Sequence, residues 1–409
     1  MKWTQGIDKL GIFLYLLLCS FAVANIYSVD PVAGIKQGTF FVISIFIGII
    51  IFFMRAKFFE NSAGLFYILG ILLLIGLFPF GKEVLGQKNW YRFGGFSFQP
   101  VEFAKLAVAL MLANYVAGPN FNLKYGKSLW TALAIVGVPA VIVLAIPDVG
   151  SLLVFTAFFI ALFREGLSGW LFGIGFIFAA VFLVSLAVEP LFVVSGIVSI
   201  AAIIIFFNYH KIHWNIFSIA GIFGSVAVLC GIAFGTPKIL EKLPKHQRER
   251  IEVLYKGEKA FRDTSGYNLL YSKTAIGSGG FFGKGYREGS VTQGKFVPEQ
   301  STDYIFCTVG EEWGFLGSSL LVLVYTIFIG RIYYLSEKQK SIFNRVFGYC
   351  FASILLMHFA INLGMVMGLF PTVGIPLPFF SSGGTSLVTF SVMTFIFFKL
   401  NYADRNSLV

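Results

Sequence analysis

The chain has 409 residues, of which 57% are hydrophobic and only 12% are charged, and its mean hydropathy is +0.81. This much apolar surface excludes a soluble globular protein and predicts a polytopic membrane protein. The formal net charge of +11 does not indicate a nucleic-acid partner, because the Lys and Arg residues lie mainly in short loops between apolar runs.

Apolar runs near twenty residues long predict the membrane spans. We expect about twelve, of which the sixth is short; they are 10–28, 36–54, 62–80, 101–118, 128–146, 150–164, 168–188, 191–208, 214–235, 304–334, 345–368 and 384–400. The first run lacks a small-residue cleavage site and is interpreted as a retained span. The cysteines lie in or beside the runs at spacings that predict no disulfide or zinc site: Cys19, Cys230, Cys307 and Cys350.

Basic residues that flank the spans predict the orientation. Several fall on one alternating side: Lys9, Arg55, Arg164, Lys338 and Arg405. Under the positive-inside rule both termini are then cytoplasmic. We therefore predict one integral membrane domain, 1–409, with a large extracytoplasmic loop at 236–303, since long translocated segments largely escape the charge rule.

The first polar motif is WYRFGGFSFQPVEFAKL, which passes from Trp90 and Arg92 in a loop through Pro100 into a helix. Glu102 and Lys105 follow, three residues apart on one helix face. One interpretation is an interfacial ion pair whose lysine extends to water. The other is a charge pair that faces a polar cavity, because charges within a membrane usually mark function.

A second motif, PDVGS, places Asp148 before a new helix, where capping is favoured over catalysis. In QRERI, Arg248 and Arg250 fit a solvated amphipathic segment, although guanidinium groups also suit phosphate. The glycines of AIGSGGFFGKG predict either a flexible loop or close approach to an anion. A nucleotide-binding loop is excluded, because Ser278 and Gly285 occupy positions that need other residues.

The motif PEQSTDYIF places Asp303 where the polar segment meets the next span. A role in helix capping is one interpretation. The other is a catalytic acid or base at the extracytoplasmic mouth, beside arginines, lysines and glycines. Glu299, Glu311 and Glu312 are alternative acids.

These motifs, followed by GEEWGFLG and HFAINLGMVMGLFPTVGIPLPFFSSGGTS, occur in the order typical of the SEDS family. From about Trp90 to the C-terminus the chain resembles this family of RodA, FtsW and SpoVE glycosyltransferases, and its short N-terminus is most like RodA. Family members typically have ten spans, so the region 168–235 would contain an extra helix hairpin. Tyr271 stands where many relatives carry Gln.

The resemblance implies an all-α SEDS-like bundle that polymerises lipid II into glycan strands at the outer face of the cytoplasmic membrane. Asp303 matches the family's essential aspartate and would deprotonate the acceptor hydroxyl, with inversion and undecaprenyl pyrophosphate as leaving group. The candidates for stabilising the pyrophosphate are Lys105, Arg248, Arg250 and Lys284. A divalent cation, Mg²⁺ or Mn²⁺, could share that task, although no ligand cluster is visible, and no nucleotide is needed.

The remaining predicted substrate-binding residues surround this centre. Glu102 and Lys105 would form part of the cavity floor, and Glu312 would complete a polar network. A re-entrant loop would bring Ser381 and Ser382 to the substrate, together with Trp90 and Arg92. By their spacing, His358 and Asn362 predict interhelical hydrogen bonds.

The implied partners are a class B penicillin-binding protein, which is a transpeptidase, and other membrane proteins of the elongation complex. Three alternatives remain open. A lipid II flippase or transporter would share the many spans and intramembrane charges. An FtsW-like division polymerase would share the chemistry, and a pure scaffold would tolerate loss of Asp303.

Overall fold

The computed structural model describes residues 6–84, 87–94, 96–123, 126–210, 215–243 and 245–406. Contacts among these residues divide the chain into two compact units. The first unit comprises the described residues up to Leu167 and from Asn268 onward; the second comprises Ser168–Tyr267. Both are predominantly helical, which confirms the expected class of all-α membrane protein.

The helices are numbered in chain order over the described residues. They are α1 (Lys9–Val29), α2 (Pro31–Phe53), α3 (Ala56–Asn61), α4 (Ala63–Ile75), α5 (Leu77–Phe80), α6 (Pro100–Val116), α7 (Gly126–Ala145), α8 (Val149–Phe155), α9 (Ala157–Arg164), α10 (Trp170–Ala187), α11 (Pro190–Asn208), α12 (Ile216–Lys242), α13 (Lys245–Lys256), α14 (Tyr267–Ser278), α15 (Ser290–Gln293), α16 (Phe306–Glu337), α17 (Ile342–Met367) and α18 (Gly384–Asn406). One turn of 3₁₀ helix covers Glu258–Phe261.

Ten helical segments among the described residues are long and apolar enough to cross a membrane. Two further predicted spans, 101–118 and 150–164, correspond to shorter helices: α6 has 17 residues, and Val149–Arg164 is a shorter apolar stretch. The total of about twelve spans therefore stays a prediction. The same holds for the single loop at 236–303 and for the inserted hairpin in 168–235, a region that contains α10, α11 and most of α12, which continues to Lys242.

Helix α17 lies at the centre of the first unit, where it packs against α6, α9, α16 and α18. Phe343, Phe347 and Phe351 are fully buried along it. Gly348 allows the closest approach, since a Cβ atom there would overlap the side chain of Ser336 on α16. Because lipid is as apolar as phenylalanine, close packing and hydrogen bonds, rather than exclusion of water, hold such helices together.

The cysteines and capping residues largely follow the sequence prediction. All four cysteines are free, as expected. Asp148 caps α8 by accepting the backbone N–H of Ser151 at 2.9 Å, which confirms capping as its local role. At the start of α1, Asp8 accepts from the N–H of Gly11 and also pairs with Arg331 of α16 at 2.7 Å.

The segment before α6, where Trp90 and Arg92 were expected to lie in a loop, contains a small antiparallel sheet. Its strands are β1 (Lys82–Val84), β2 (Gln87–Phe93) and β3 (Phe96–Phe98), in the order β1-β2-β3. Arg92 of β2 is in register with Ser97 of β3. The hydroxyl of Thr385 in α18 donates to the carbonyl of Ser97 at 2.5 Å, which attaches the sheet to the helix bundle.

The glycine-rich segment 279–285 docks on a kink in α16, and the close approach of its glycines to an anion stays a prediction. Gly314 lies at φ 64°, ψ −159° inside α16. The kink exposes backbone groups that pair with the segment. The bonds are Lys284 N to Glu311 O, Gly285 N to Glu312 O, Phe315 N to Gly280 O and Leu316 N to Phe281 O, at 2.9 to 3.1 Å. The glycines are needed because a Cβ at Gly283 would lie 2.1 Å from Glu312 O.

We expect Gly314→Ala to lower the free energy of unfolding by about 1–3 kcal/mol from backbone strain alone, with a further loss because its Cβ would lie 2.2 Å from Gly283 N. The matched control is Gly330→Ala in the same helix, where a Cβ meets nothing within 4 Å. That change should be neutral or stabilising by up to about 1 kcal/mol. Denaturant unfolding in detergent micelles measures both; equal effects would contradict the docked-kink description.

Candidate functional site

The turn that carries Asp303 is held by the irregular loop between α17 and α18. Asn362 of α17 donates through Nδ2 to the carbonyls of Asp303, at 2.8 Å, and Ile375, at 2.7 Å. One buried amide therefore joins the turn to the loop. The interhelical hydrogen bond predicted for Asn362 is wrong, because both of its partners are backbone carbonyls outside the helices.

Three more hydrogen bonds join the turn that carries Asp303 to the loop between α17 and α18. Ser381 Oγ donates to the carbonyl of Thr302 at 2.6 Å, and the N–H of Ser382 donates to the carbonyl of Ser301 at 2.8 Å. The hydroxyls of Tyr304 and Thr372 lie 2.7 Å apart. The backbone on both sides of Asp303 is thus fixed by the loop 372–382, hereafter the clasp loop.

The Asp303 side chain is half-buried. It is not the N-cap residue of α16, because Ile305 occupies that position; the interpretation of Asp303 as the N-cap is wrong. A Cβ atom at Gly374 would lie 3.3 Å from Asp303 Oδ2, so the carboxylate lies against the clasp loop. Gly374 has a φ of 73°, which favours glycine there.

The charge pair of α6 is buried and belongs to a three-residue cluster. Lys105 Nζ lies 2.8 Å from Glu102 Oε1 and 2.7 Å from His358 Nε2. His358 Nδ1 lies 3.0 Å from the carbonyl of Pro376. Since a carbonyl only accepts, Nδ1 carries the proton and Nε2 accepts from the lysine, which makes the imidazole neutral. The interfacial interpretation, in which the lysine reaches water, is wrong, because both side chains are fully buried.

Through Pro376, this cluster of Glu102, Lys105 and His358 is connected to the clasp loop, and through the loop to Asp303. One oxygen of the cluster, Glu102 Oε2, is buried and has no hydrogen-bond partner among the described residues. The predicted hydrogen bonding of His358 is confirmed, and its helix partner is the lysine of α6.

Asp148 lies near this cluster as well. Asn89 of β2 donates to its Oδ2 at 3.0 Å, and Ser151 donates to the same carboxylate from its hydroxyl at 2.8 Å. Burial raises the pKa of the Asp148 carboxyl, an effect opposed by the Ser151 hydrogen bonds and by the charge of Lys105. The sheet is thereby attached to the polar interior of the first unit.

Lys284 and the two glutamates of α16 form a separate group. Lys284 Nζ lies 2.6 Å from Glu311 Oε1, and the same carboxylate accepts the N–H groups of Val291 and Thr292 at 2.9 and 2.8 Å. Glu311 therefore anchors the polar segment beside α16. Glu312 accepts from Gln293 at 3.2 Å, while its Oε2 is buried without a partner among the described residues.

The two arginines of QRERI lie on α13, in the second unit. Arg248 Nε lies 3.3 Å from Glu252, one helical turn away, and Arg250 is half-buried. On the same helix, hydrogen bonds from Thr264 and Ser265, together with Lys245, lower the pKa of Glu249, with desolvation opposing them. In the first unit, Arg92 is exposed on β2.

Trp90 and Ser382, both predicted from sequence, line one cavity of about 200 Å³ in the first unit. Lys36 and Gln37 of α2 line it too. These two residues were not predicted as site candidates, although two adjacent polar side chains at the start of an apolar span were a visible signal. The anchoring role of Glu311 was not predicted either, because its partners lie about twenty residues away.

No group of three His, Cys, Asp or Glu side chains able to hold a metal ion occurs among the described residues. Mg²⁺ commonly uses one or two carboxylates together with substrate phosphates and water. The role of Mg²⁺ or Mn²⁺ therefore stays a prediction.

The family model described as cell cycle protein, FtsW/RodA/SpoVE, matches residues 6–194 and 174–406. The chain belongs to the FtsW/RodA/SpoVE family. This confirms the resemblance stated from the motifs. The protein is a glycosyltransferase of this family and a multi-pass membrane protein.

Among relatives, the chain is 31% identical over 335 residues to the peptidoglycan glycosyltransferase MrdB of Escherichia coli strain K12, covering 81% of this chain and 75% of that protein. Among solved structures, it matches the rod shape determining protein RodA of Thermus thermophilus with a TM-score of 0.62 and 23% identity, over 99% of each chain. A chain from a peptidoglycan synthase complex that coordinates polymerization and crosslinking matches with a TM-score of 0.72 and 22% identity, over 98% of this chain and 99% of that one. Because both solved structures are less than 25% identical to this chain, they show only that the fold is shared.

We expect Glu102→Gln to lower the free energy of unfolding by about 3–5 kcal/mol, because it leaves the Lys105 ammonium buried without its counterion. Replacing both partners, as Glu102→Leu with Lys105→Met, should recover more than half of that loss. As a control, Glu337→Gln breaks the exposed pair with Arg164 and should cost about 1 kcal/mol or less. Denaturant unfolding in detergent micelles measures the free energy of unfolding of all three variants. A double variant less stable than Glu102→Gln would contradict the description.

Proposed function

We propose that this glycosyltransferase polymerises lipid II into glycan strands at the outer face of the cytoplasmic membrane. The acceptor 4-hydroxyl attacks the anomeric carbon of the donor with inversion. The bond to the lipid pyrophosphate breaks, and undecaprenyl pyrophosphate leaves. Asp303 takes the proton of the attacking hydroxyl as general base.

The observation that carries this proposal is the way Asp303 is held. Its carboxylate is half-buried at the end of a polar segment, while the backbone around it is fixed by Asn362, Ser381 and the rest of the clasp loop. A base that is already oriented avoids the entropic cost of positioning it in each turnover. General-base catalysis contributes roughly 10² to 10⁴ in rate, so positioning and charge stabilisation must supply the rest.

Three further parts of the proposal rest on the relatives and on the charge pattern. Both termini are cytoplasmic and the site is extracytoplasmic, as the flanking basic residues predict. The physiological role is cell elongation and shape, in line with the similarity to MrdB and RodA. The partner is a class B penicillin-binding protein of the elongation complex, supported by the likeness to a chain from a synthase complex.

The decisive test compares wild type with Asp303→Asn, which keeps the shape of the side chain while removing the base. Both are purified with the proposed penicillin-binding partner and supplied with lipid II, with and without Mg²⁺ or Mn²⁺. We expect glycan polymer from wild type and a loss of roughly 10² to 10⁴ in rate from the variant.

The matched control is Glu288→Gln, which removes an exposed carboxylate from the same polar segment and should leave the rate unchanged. Equal polymer from wild type and a folded Asp303→Asn would refute the base assignment. No polymer from wild type, together with translocation of lipid II in vesicles, would instead establish the flippase. A cation requirement would appear as polymer formed only when the metal is present.

A further inference from the structure

The cations expected to bind pyrophosphate are mostly engaged with carboxylates. Lys105 is buried against Glu102 and His358. Lys284 is paired with Glu311 at 2.6 Å. A paired ammonium offers less attraction to a second anion, since its charge is already compensated. We therefore expect another cation in the first unit to stabilise the anionic leaving group.

Lys36 meets this requirement. It projects from the first turns of α2, is exposed, and forms no ion pair with a carboxylate of the described residues. It lines the cavity of about 200 Å³ together with Trp90, Ser97 and Ser382. At about 30 Å³ for each water molecule, this volume holds roughly seven waters, which is room for a phosphate group.

The backbone at the same cavity has the polarity that an anion needs. Gly383 and Gly384 line it, and Gly384 is the first residue of α18, a helix of 23 residues. The N–H groups of a first helical turn have no partner within the helix and carry partial positive charge. A side chain at Gly384 would collide with the ring of Phe40, so glycine preserves this close packing.

The cavity wall is rigid. Gln37, next to Lys36, is buried and donates to the carbonyl of Ser381 at 3.1 Å while accepting the N–H of Gly383 at 3.2 Å. Ser381 also holds Thr302, the neighbour of Asp303. The clasp loop thus forms part of the cavity wall and also positions Asp303. A group bound in the cavity is therefore held at a fixed position relative to the Asp303 carboxylate.

We propose that the cavity lined by Lys36, Trp90, Ser382 and the N-terminus of α18 is an anion subsite that takes a phosphate group of the lipid-linked donor. This inference rests on the proposed function and names where its leaving group is held. Lys36 supplies the charge, Ser382 and the helix N-terminus supply donors, and Trp90 supplies an aromatic wall.

The test measures binding of undecaprenyl pyrophosphate to the full chain in detergent micelles. Lys36→Gln should weaken binding roughly tenfold or more, since a charge-assisted hydrogen bond is lost. Lys36→Arg, which keeps the charge, should retain most of the affinity. Lys57→Gln removes another exposed lysine, on α3, and should change nothing. Unfolding midpoints of all variants show that they are folded.

A second arm uses a soluble muramyl pentapeptide, which has carboxylates but no phosphate. Its binding should not depend on Lys36; dependence confined to this probe would overturn the phosphate assignment. Unchanged affinity of Lys36→Gln for undecaprenyl pyrophosphate would overturn the subsite, even if wild type forms polymer. Failure of the proposed function is recognised separately, as absence of polymer from wild type supplied with lipid II.

Discussion

The buried ammonium of Lys105 is the constraint on which the rest of the first unit depends. A charge inside a membrane protein is costly unless it is paired and hydrogen-bonded. Glu102 supplies the counterion, and His358 supplies a neutral acceptor only because its other nitrogen donates to Pro376. The contacts that pair and hydrogen-bond the Lys105 ammonium therefore fix the rotation of α6 against α17 and the path of the clasp loop.

The clasp loop connects the buried Lys105 cluster to the candidate site. Irregular backbone buried in a helix bundle persists only where its polar groups are satisfied by protein or water. Here Asn362, Ser381 and Gln37 supply the bonds, and the hydroxyl of Tyr325 donates to Pro378. The same bonds hold the turn of Asp303. The contacts that satisfy the backbone of the clasp loop therefore also orient the proposed base.

Much of this could be predicted from local sequence. Composition indicated the membrane class, the spacing of Glu102 and Lys105 predicted their pairing, and Asp148 was assigned as a cap. The partner of Lys105 on α17 could not be predicted, because 253 residues separate them. The glycines near 280 suggested either a flexible loop or close approach to an anion, whereas Gly314, a residue with no local signal, gives them a docking site on α16. Positions set by distant contacts leave little trace in a single sequence.

In the proposed mechanism, the buried charge cluster acts on Asp303 through the clasp loop. The most direct test is a double-mutant cycle of polymerisation rates between the variant Glu102→Leu with Lys105→Met and the variant Asn362→Leu. We expect strong non-additivity, with the combined variant scarcely slower than the worse of the two. Rate losses that simply multiply would show that the cluster and the clasp loop act independently, and would contradict this coupling.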